Sequence, residues 1–347
     1  MRVNIVSFAR LEPLSRPIMT NGAAPAYAMV AIAWIVALLG MVARHLTIAV
    51  DEFAMAVAII GTPILMGLCL RGRGFDRLAT IAQGCGLFMT GCVGVTLLTF
   101  VLATGDRPLV DPMLAAIDHV AVPTLDWRAA MLWLSHRRAL MGAANWVYES
   151  IGWQPVVLIA MLGLSGRTDR VWAFLTAWLV TLSVTCLLFA LFPGVGAYAY
   201  FGLAAADVPA MRDPTPWHQA ALLAELRAGT LHHIGFVDLD GIVTFPSFHA
   251  AAAVILAWGA WPVRAIRWPA ILLNGAMLLS AVPIGGHYLI DIAAGCVIAV
   301  IGISIARKNG EPATETGKAY RPPSRRVSAA TQLARSMVLP SGSRASI

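Results

Sequence analysis

Apolar residues gather into eight runs, near residues 26–43, 54–70, 79–103, 147–164, 171–192, 248–262, 270–284 and 288–306. Crossing the hydrocarbon core of a bilayer takes about 20 mostly apolar residues in a helix. The pattern therefore predicts an all-α, polytopic transmembrane helical bundle of about eight spans. The fourth run is the most polar at its start, where Glu149 and Gln154 fall, and the seventh is short. The first is not a cleaved signal peptide, because a long polar leader precedes it and Arg44-His45, rather than small residues, follows it.

The polar stretches between the runs alternate in character. Arg2, Arg10 and Arg16 precede the first run; Arg71, Arg73 and Arg77 follow the second; Arg167 and Arg170 follow the fourth; Arg264 and Arg267 follow the sixth. Short arginine-rich segments mark the cytoplasmic side. Eight spans with both termini in the cytoplasm fit this alternation, and a bacterial inner membrane is the expected location. The outer segments are longer. Residues 104–146 place Leu114, Ile117, Trp127, Ala130, Met131 and Leu134 at helical spacing, which predicts helices lying in the interface with Trp127, Trp133 and Trp146 as anchors. Residues 193–247 have no evident regular element and read as a functional loop or lid. The expected organisation is a cytoplasmic segment over 1–25, N-terminal helices over 26–103, a membrane domain over 104–306, and a basic, disordered cytoplasmic tail over 307–347.

Composition sharpens this reading. The chain is 59% hydrophobic and only 12% charged, where soluble domains run near a quarter charged. An ordinary cytosolic enzyme and a disulfide scaffold are both excluded. The net charge of +7 does not point to nucleic acid, because the basic residues lie in short loops and the tail rather than in one patch. Cys69, Cys85, Cys92, Cys186 and Cys296 all fall in apolar runs without paired metal spacing, and read as small buried hydrophobes.

Two segments carry candidate chemistry, each where an apolar run begins on the outer side. The first is Phe245-Pro246-Ser247-Phe248-His249-Ala250; the second is Gly285-Gly286-His287-Tyr288-Leu289-Ile290-Asp291. Ser247 suits a helix N-cap, whose following amides form an anion site with His249 in the first turn. His287 and Asp291 are four apart, a spacing that on a helix puts both on one face and lets the carboxylate accept from Nδ1–H. A buried aspartate in an apolar run needs such a partner. Two histidines and a carboxylate on one side make a kit for phosphoryl transfer: one imidazole attacks phosphorus, the other protonates the leaving oxygen. Two plainer readings stand beside it. A histidine near a span end is commonly an interfacial residue, and His249, His287 and Asp291 could instead hold a metal ion, although no fourth ligand is evident. His218, His232 and His233 read as loop residues, and Glu149 as a partner for Arg137 or Arg138.

The two segments resemble the second and third signature motifs of the type 2 phosphatidic acid phosphatase superfamily. The resemblance is nearest to its inositolphosphotransferase-like branch, which includes fungal inositol phosphorylceramide synthase. That branch carries a bulky apolar residue at the position of Phe248, where common lipid phosphatases have glycine. Tyr148-Glu-Ser and Phe192-Pro-Gly extend the likeness over about 104–306. The resemblance implies a phosphohistidine mechanism without metal or cofactor, with His287 as nucleophile, Asp291 as its orienter and His249 as general acid. Two family features are missing. The first motif, a Lys followed seven residues later by Arg-Pro, is absent, and Ala281 stands beside Ser280 where many members have arginine. Ser247 and Ser280, with Arg212 and Arg227 from the long outer segment, are the candidate phosphate ligands.

The expected activity is that of a lipid phosphatase or phosphotransferase at the extracytoplasmic face. Its partners would be a membrane lipid phosphate or phosphodiester, an acceptor alcohol if it transfers, and the bilayer, with no nucleic acid. The alternative is a non-catalytic lipid-binding or lipid-transport protein on the same scaffold.

Overall fold

The computed structural model of the protein describes residues 22–211, 214–235, 238–239 and 241–310. The leader and the basic tail expected from the sequence thus lie outside the described residues, except for 22–25 and 307–310. In chain order the elements are α1 (Ala24–Ala43), β1 (Thr47–Ile48), α2 (Val50–Gly72), α3 (Asp76–Ala103), α4 (Asp111–Ala121), α5 (Trp127–Ser135) and α6 (Arg138–Glu149). After a 3-10 turn at Ser150–Gly152 come α7 (Gln154–Leu164), α8 (Thr168–Leu191), α9 (Ala197–Tyr200), α10 (Thr215–Ala228), β2 (His233–Ile234), α11 (Phe248–Ala260), α12 (Arg267–Gly285) and α13 (Leu289–Gly310). The fold is an all-α polytopic bundle; β1 and β2 pair only as a parallel stub, Thr47 opposite His233.

All eight apolar runs are helical, but they do not make eight full crossings. Among the described residues six helices are long and apolar enough to span a bilayer: α1, α2, α3, α8, α12 and α13. The fourth run is divided. The chain bends by 52° between α6 with its 3-10 turn and α7, at the point where Pro155 enters the first turn of α7 without an N–H to continue the ladder. Counted as one span, this pair brings the total to seven. α11 has 13 residues, about 20 Å at 1.5 Å per residue, against a hydrocarbon core of about 30 Å. Ser247 caps its start and Pro262 follows its end, so a run that looked continuous in hydropathy has sharp limits.

The interior lies where α3, α8, α11 and α13 meet, with Trp172, Phe174, Trp178 and Ala251–Ala253 buried together. Small residues let these helices approach closely. A Cβ added at Gly295 of α13 would come within 2.2 Å of the Ser247 carbonyl oxygen, and one at Gly302 within 2.2 Å of Thr181 Oγ1 on α8. Outside this core, α2 packs on α3 and leaves Ile59 and Leu65 largely exposed, as a face turned to lipid would be.

Three local expectations are corrected. Residues 193–247 are not irregular: α10 forms there, with Pro216 in its first turn, Leu222, Leu223 and Leu226 buried, and Gly229 closing it at φ +66°. Trp127 is not an interfacial anchor but 5% exposed, whereas Trp133 and Trp146 are outward at 57% and 60%. Cys69, expected to be buried, is exposed on α2, while Cys186 is buried.

Candidate active site

Three chain segments close around the turn that joins α12 to α13. Gly286 ends α12 in the left-handed region at φ +64°, and its carbonyl accepts from Ala197 N at 2.9 Å. A Cβ there would meet the Tyr198 ring at 2.8 Å, so the position suits glycine on two counts. His287 follows, outside the helix. The sequence spacing suggested a pair on one helix face; instead His287 stands before the first turn and Asp291 lies within it.

Asp291 does two jobs with one oxygen. Its Oδ2 accepts from His287 Nδ1 at 3.1 Å and from the Tyr288 backbone N–H at 2.9 Å. The second contact is half of a capping box, in which an acid in the first turn reaches back to the residue before the helix. Asp291 is fully buried and His287 is 4% exposed. With Nδ1 donating to the carboxylate, the neutral imidazole keeps its lone pair on Nε2. Room at that atom comes from Gly285: a Cβ there would lie 3.1 Å from His287 Nε2 and 2.7 Å from the Tyr148 hydroxyl. Any side chain at position 285 would therefore occupy the space in which Nε2 and the Tyr148 hydroxyl converge.

α11 supplies the second histidine. Ser247 caps it, its Oγ accepting from Ala250 N at 3.3 Å, and the Ser247 backbone N–H donates to the Asp291 carbonyl at 3.1 Å. This cross-strut ties the first turns of α11 and α13 together. His249 stands one residue into α11, stacked on Tyr148 with ring centroids 3.7 Å apart and planes 11° from parallel. Tyr148 links it to His287, since a Cβ at Gly285 would lie 2.7 Å from both the Tyr148 hydroxyl and His287 Cδ2. His287, Asp291, Ser247 and His249 are thus gathered in one place.

The other candidate ligands are not. The Ser280 hydroxyl donates back to Met277 O in its own helix at 2.8 Å. Arg227 donates to Gly105 O beyond the end of α3, at 3.2 Å. Arg212 lies outside the described residues. Ala281 is fully buried among Met141, Tyr148, Ala250 and Ile284. Of the expected partners for Glu149, Arg137 or Arg138, Arg137 lies over the Trp133 ring instead, and Glu149 is bonded to Asn145.

Two carboxylates that the sequence reading passed over hold the turn from outside. Asp118 on α4 accepts from Leu289 N at 2.6 Å and Ile290 N at 2.9 Å, one bond to each oxygen. These are orphan donors of α13, capped here by a residue 171 positions away. Asp111, also on α4, accepts from Val195 N and Gly196 N at 3.0 Å each and from the Tyr288 hydroxyl at 3.1 Å. Burial, with the Asp111 carboxylate beside it, pushes the Tyr288 phenol above its ordinary range, so it keeps the proton that it donates. Trp127 completes the brace by donating from Nε1 to the His287 carbonyl at 3.3 Å. The signal was present: Asp111, Leu114 and Asp118 are the buried residues of α4, so both acids share the apolar stripe. An acid on such a stripe needs partners.

Asp118→Asn tests this brace. An amide has one acceptor oxygen where the carboxylate uses two, and its NH2 would face a backbone N–H. Losing one charge-assisted bond of this kind costs about 1.5–3 kcal/mol. A lower thermal midpoint in detergent is expected, together with weaker turnover, because the turn carrying His287 loosens. An unchanged midpoint would mean that α13 does not depend on this cap.

A family profile described as the PAP2 superfamily matches residues 114–305. This covers more than half of the chain, including both histidine segments, and the protein belongs to that superfamily of membrane phosphatases and phosphotransferases. Neither curated proteins nor solved structures gave a significant match.

Proposed function

We propose that the protein is an integral-membrane lipid phosphatase or phosphotransferase that works through a phosphohistidine at the extracytoplasmic face, as in the inositolphosphotransferase-like branch. The observation that carries this reading is the His287–Asp291 bond at 3.1 Å, which leaves Nε2 facing the space beside Gly285 with His249 close by. In the first half-reaction the Nε2 lone pair forms the N–P bond as the P–O bond to the lipid breaks, and His249 delivers a proton to the departing oxygen. In the second, water or an acceptor alcohol attacks phosphorus, His249 takes its proton, and the N–P electrons return to His287. The first amides of α11 and the Ser247 cap would hold phosphate oxygens. Cations for the phosphate would come from the segment that carries Arg212 and Arg227, which requires Arg227 to leave the Gly105 carbonyl.

The outward orientation rests on the arginines. Arg77 lies against Gly166, and Arg170 against Trp258, near the ends of α7 and α11 and the start of α8. The histidines stand at the opposite ends of α11 and α13. A reporter fused after residue 310 should read cytoplasm and one inserted near residue 215 should read the outer side. The reverse pattern would overturn the extracytoplasmic assignment. The reaction itself is tested with purified protein given phosphatidic acid labelled in its phosphate, or phosphatidylinositol, with and without free alcohols. Acid-labile, alkali-stable label on the protein is expected within a single turnover, followed by release to water or transfer to the alcohol. No labelled protein and no product from either lipid would leave the scaffold a binding or transport protein.

A further inference from the structure

At the other end of the helices that hold the histidines is a cavity of about 610 Å³, bounded by the start of α8, the ends of α11 and α13, and α12. Arg167, Arg170 and Arg307 line it together with Trp258, Trp261 and Ile271. Among the described residues no carboxylate lines it; Asp169, next to Arg170 in sequence, is exposed and is not part of the wall. About 18 residues of α13 separate Arg307 from the first turn at Leu289, or about 27 Å of helix. The cavity is therefore distinct from the candidate active site.

Its charge is unusually one-sided. Arg170 sits in the first turn of α8, and Arg167 precedes that turn. Helix N-termini carry positive partial charge and favour acids there, so these arginines add to the dipole instead of offsetting it. Arg170 and Arg307 also bring their like charges to the same ring, Trp258. Arg170 cannot easily swing away. Its guanidinium carbon stacks 3.6 Å from the centre of the Trp258 ring, and Nη2 donates to the Trp258 carbonyl at 2.7 Å. Its Nε is buried without an acceptor, a costly state for a charged donor. The Arg307 guanidinium carbon lies 5.9 Å from the centre of the same ring. The remaining wall is apolar or aromatic.

We propose that this cavity binds a phosphate-bearing anion, the headgroup of an anionic phospholipid, with the arginines on the phosphate and the tryptophans and Ile271 against the glycerol and upper acyl chain. A fixed guanidinium flanked by two more exposed ones matches a phosphate with several acceptor oxygens. The apolar wall adds what a free phosphate would not use.

The test uses the full chain carrying His287→Ala, so that lipid at the candidate active site is not consumed. Native mass spectrometry measures retention of short-chain phosphatidylglycerol and phosphatidylcholine with and without Arg170→Gln/Arg307→Gln. The double substitution should weaken phosphatidylglycerol binding at least tenfold and leave phosphatidylcholine unchanged. Millimolar inorganic phosphate is the second arm. Failure to displace the lipid supports the headgroup assignment, whereas displacement at such concentrations would reassign the site to a soluble phosphate and overturn that assignment. Equal phosphatidylglycerol retention in parent and variant would overturn the site altogether. Because Arg170 also braces Trp258, Arg307→Gln alone provides a milder variant. It should still lower retention several-fold, and no change would count against the proposal.

Discussion

Replacing His287 with alanine is expected to lower lipid-phosphate turnover by more than ~1000-fold while the protein remains folded and inserted. The size follows from the proposed chemistry: there the imidazole is the nucleophile, and losses of that order accompany removal of a covalent catalyst. The fold should survive because the turn does not depend on the imidazole alone. Its backbone is held by Trp127 at the His287 carbonyl and by Asp118 at the Leu289 and Ile290 amides. Asp291 would lose one partner but keep the Tyr288 N–H. Size-exclusion behaviour and thermal midpoint close to those of the parent would show that loss of activity is not loss of structure. Residual turnover within about tenfold of the parent, less than 1.4 kcal/mol of barrier, would end the phosphohistidine proposal.

The parts of this molecule that were legible in the sequence are those governed by short-range pattern. Hydropathy over about 20 residues located every apolar helix, and Pro-Ser before an apolar run marked the cap of α11. His287 and Asp291, four apart, could be paired on paper, although the pair forms across a helix start rather than along a helix face. What could not be read depends on contacts between distant segments. Asp118 caps a helix 171 residues further on, and Tyr148 reaches His249 across about 100 residues. Hydropathy averages also hide interruptions: Pro155 bends the fourth run, and the short α11 is bounded by polar or Pro-containing turns that a window smooths over. α10 was missed although its limits were visible, Pro216 at one end and Gly229 at the other, because its leucines are diluted by polar neighbours.

The geometry suggests a division of labour among the acids. Asp291 touches the imidazole directly, while Asp111 and Asp118 act only on the backbone and on Tyr288. Three buried carboxylates around one turn would be costly if each stood alone, since buried charge needs partners. Here each accepts at least two hydrogen bonds, most of them from backbone amides that would otherwise be unsatisfied at a helix start. Rigidity at His287 and satisfaction of those amides are thus achieved by the same contacts. The result is an imidazole fixed before any substrate arrives, and for the proposed nucleophile that is where positioning would contribute most to rate.

His249→Ala should show a loss that depends on what leaves. If His249 donates the proton, its importance scales with how badly the departing oxygen needs one. A lipid phosphate expels a poor leaving group, an alkoxide, and the variant should be crippled by about 100-fold or more, the usual worth of a positioned general acid. An aryl phosphate with an acidic phenol leaves without help, so phosphohistidine formation from it should fall only slightly. His287→Ala offers the control, because attack is required whatever leaves and no substrate should rescue it. Single-turnover trapping of labelled protein separates this first step from the later hydrolysis, in which His249 would also serve as base. The stacking of His249 on Tyr148 at 3.7 Å holds its ring in one plane, so the proton has a fixed direction of delivery. Tyr148→Leu should therefore reproduce part of the defect with the lipid and little of it with the aryl ester. Equal losses for His249→Ala on both substrates would instead make this histidine a phosphate ligand, and label recovered on His249 would exchange the roles of the two histidines.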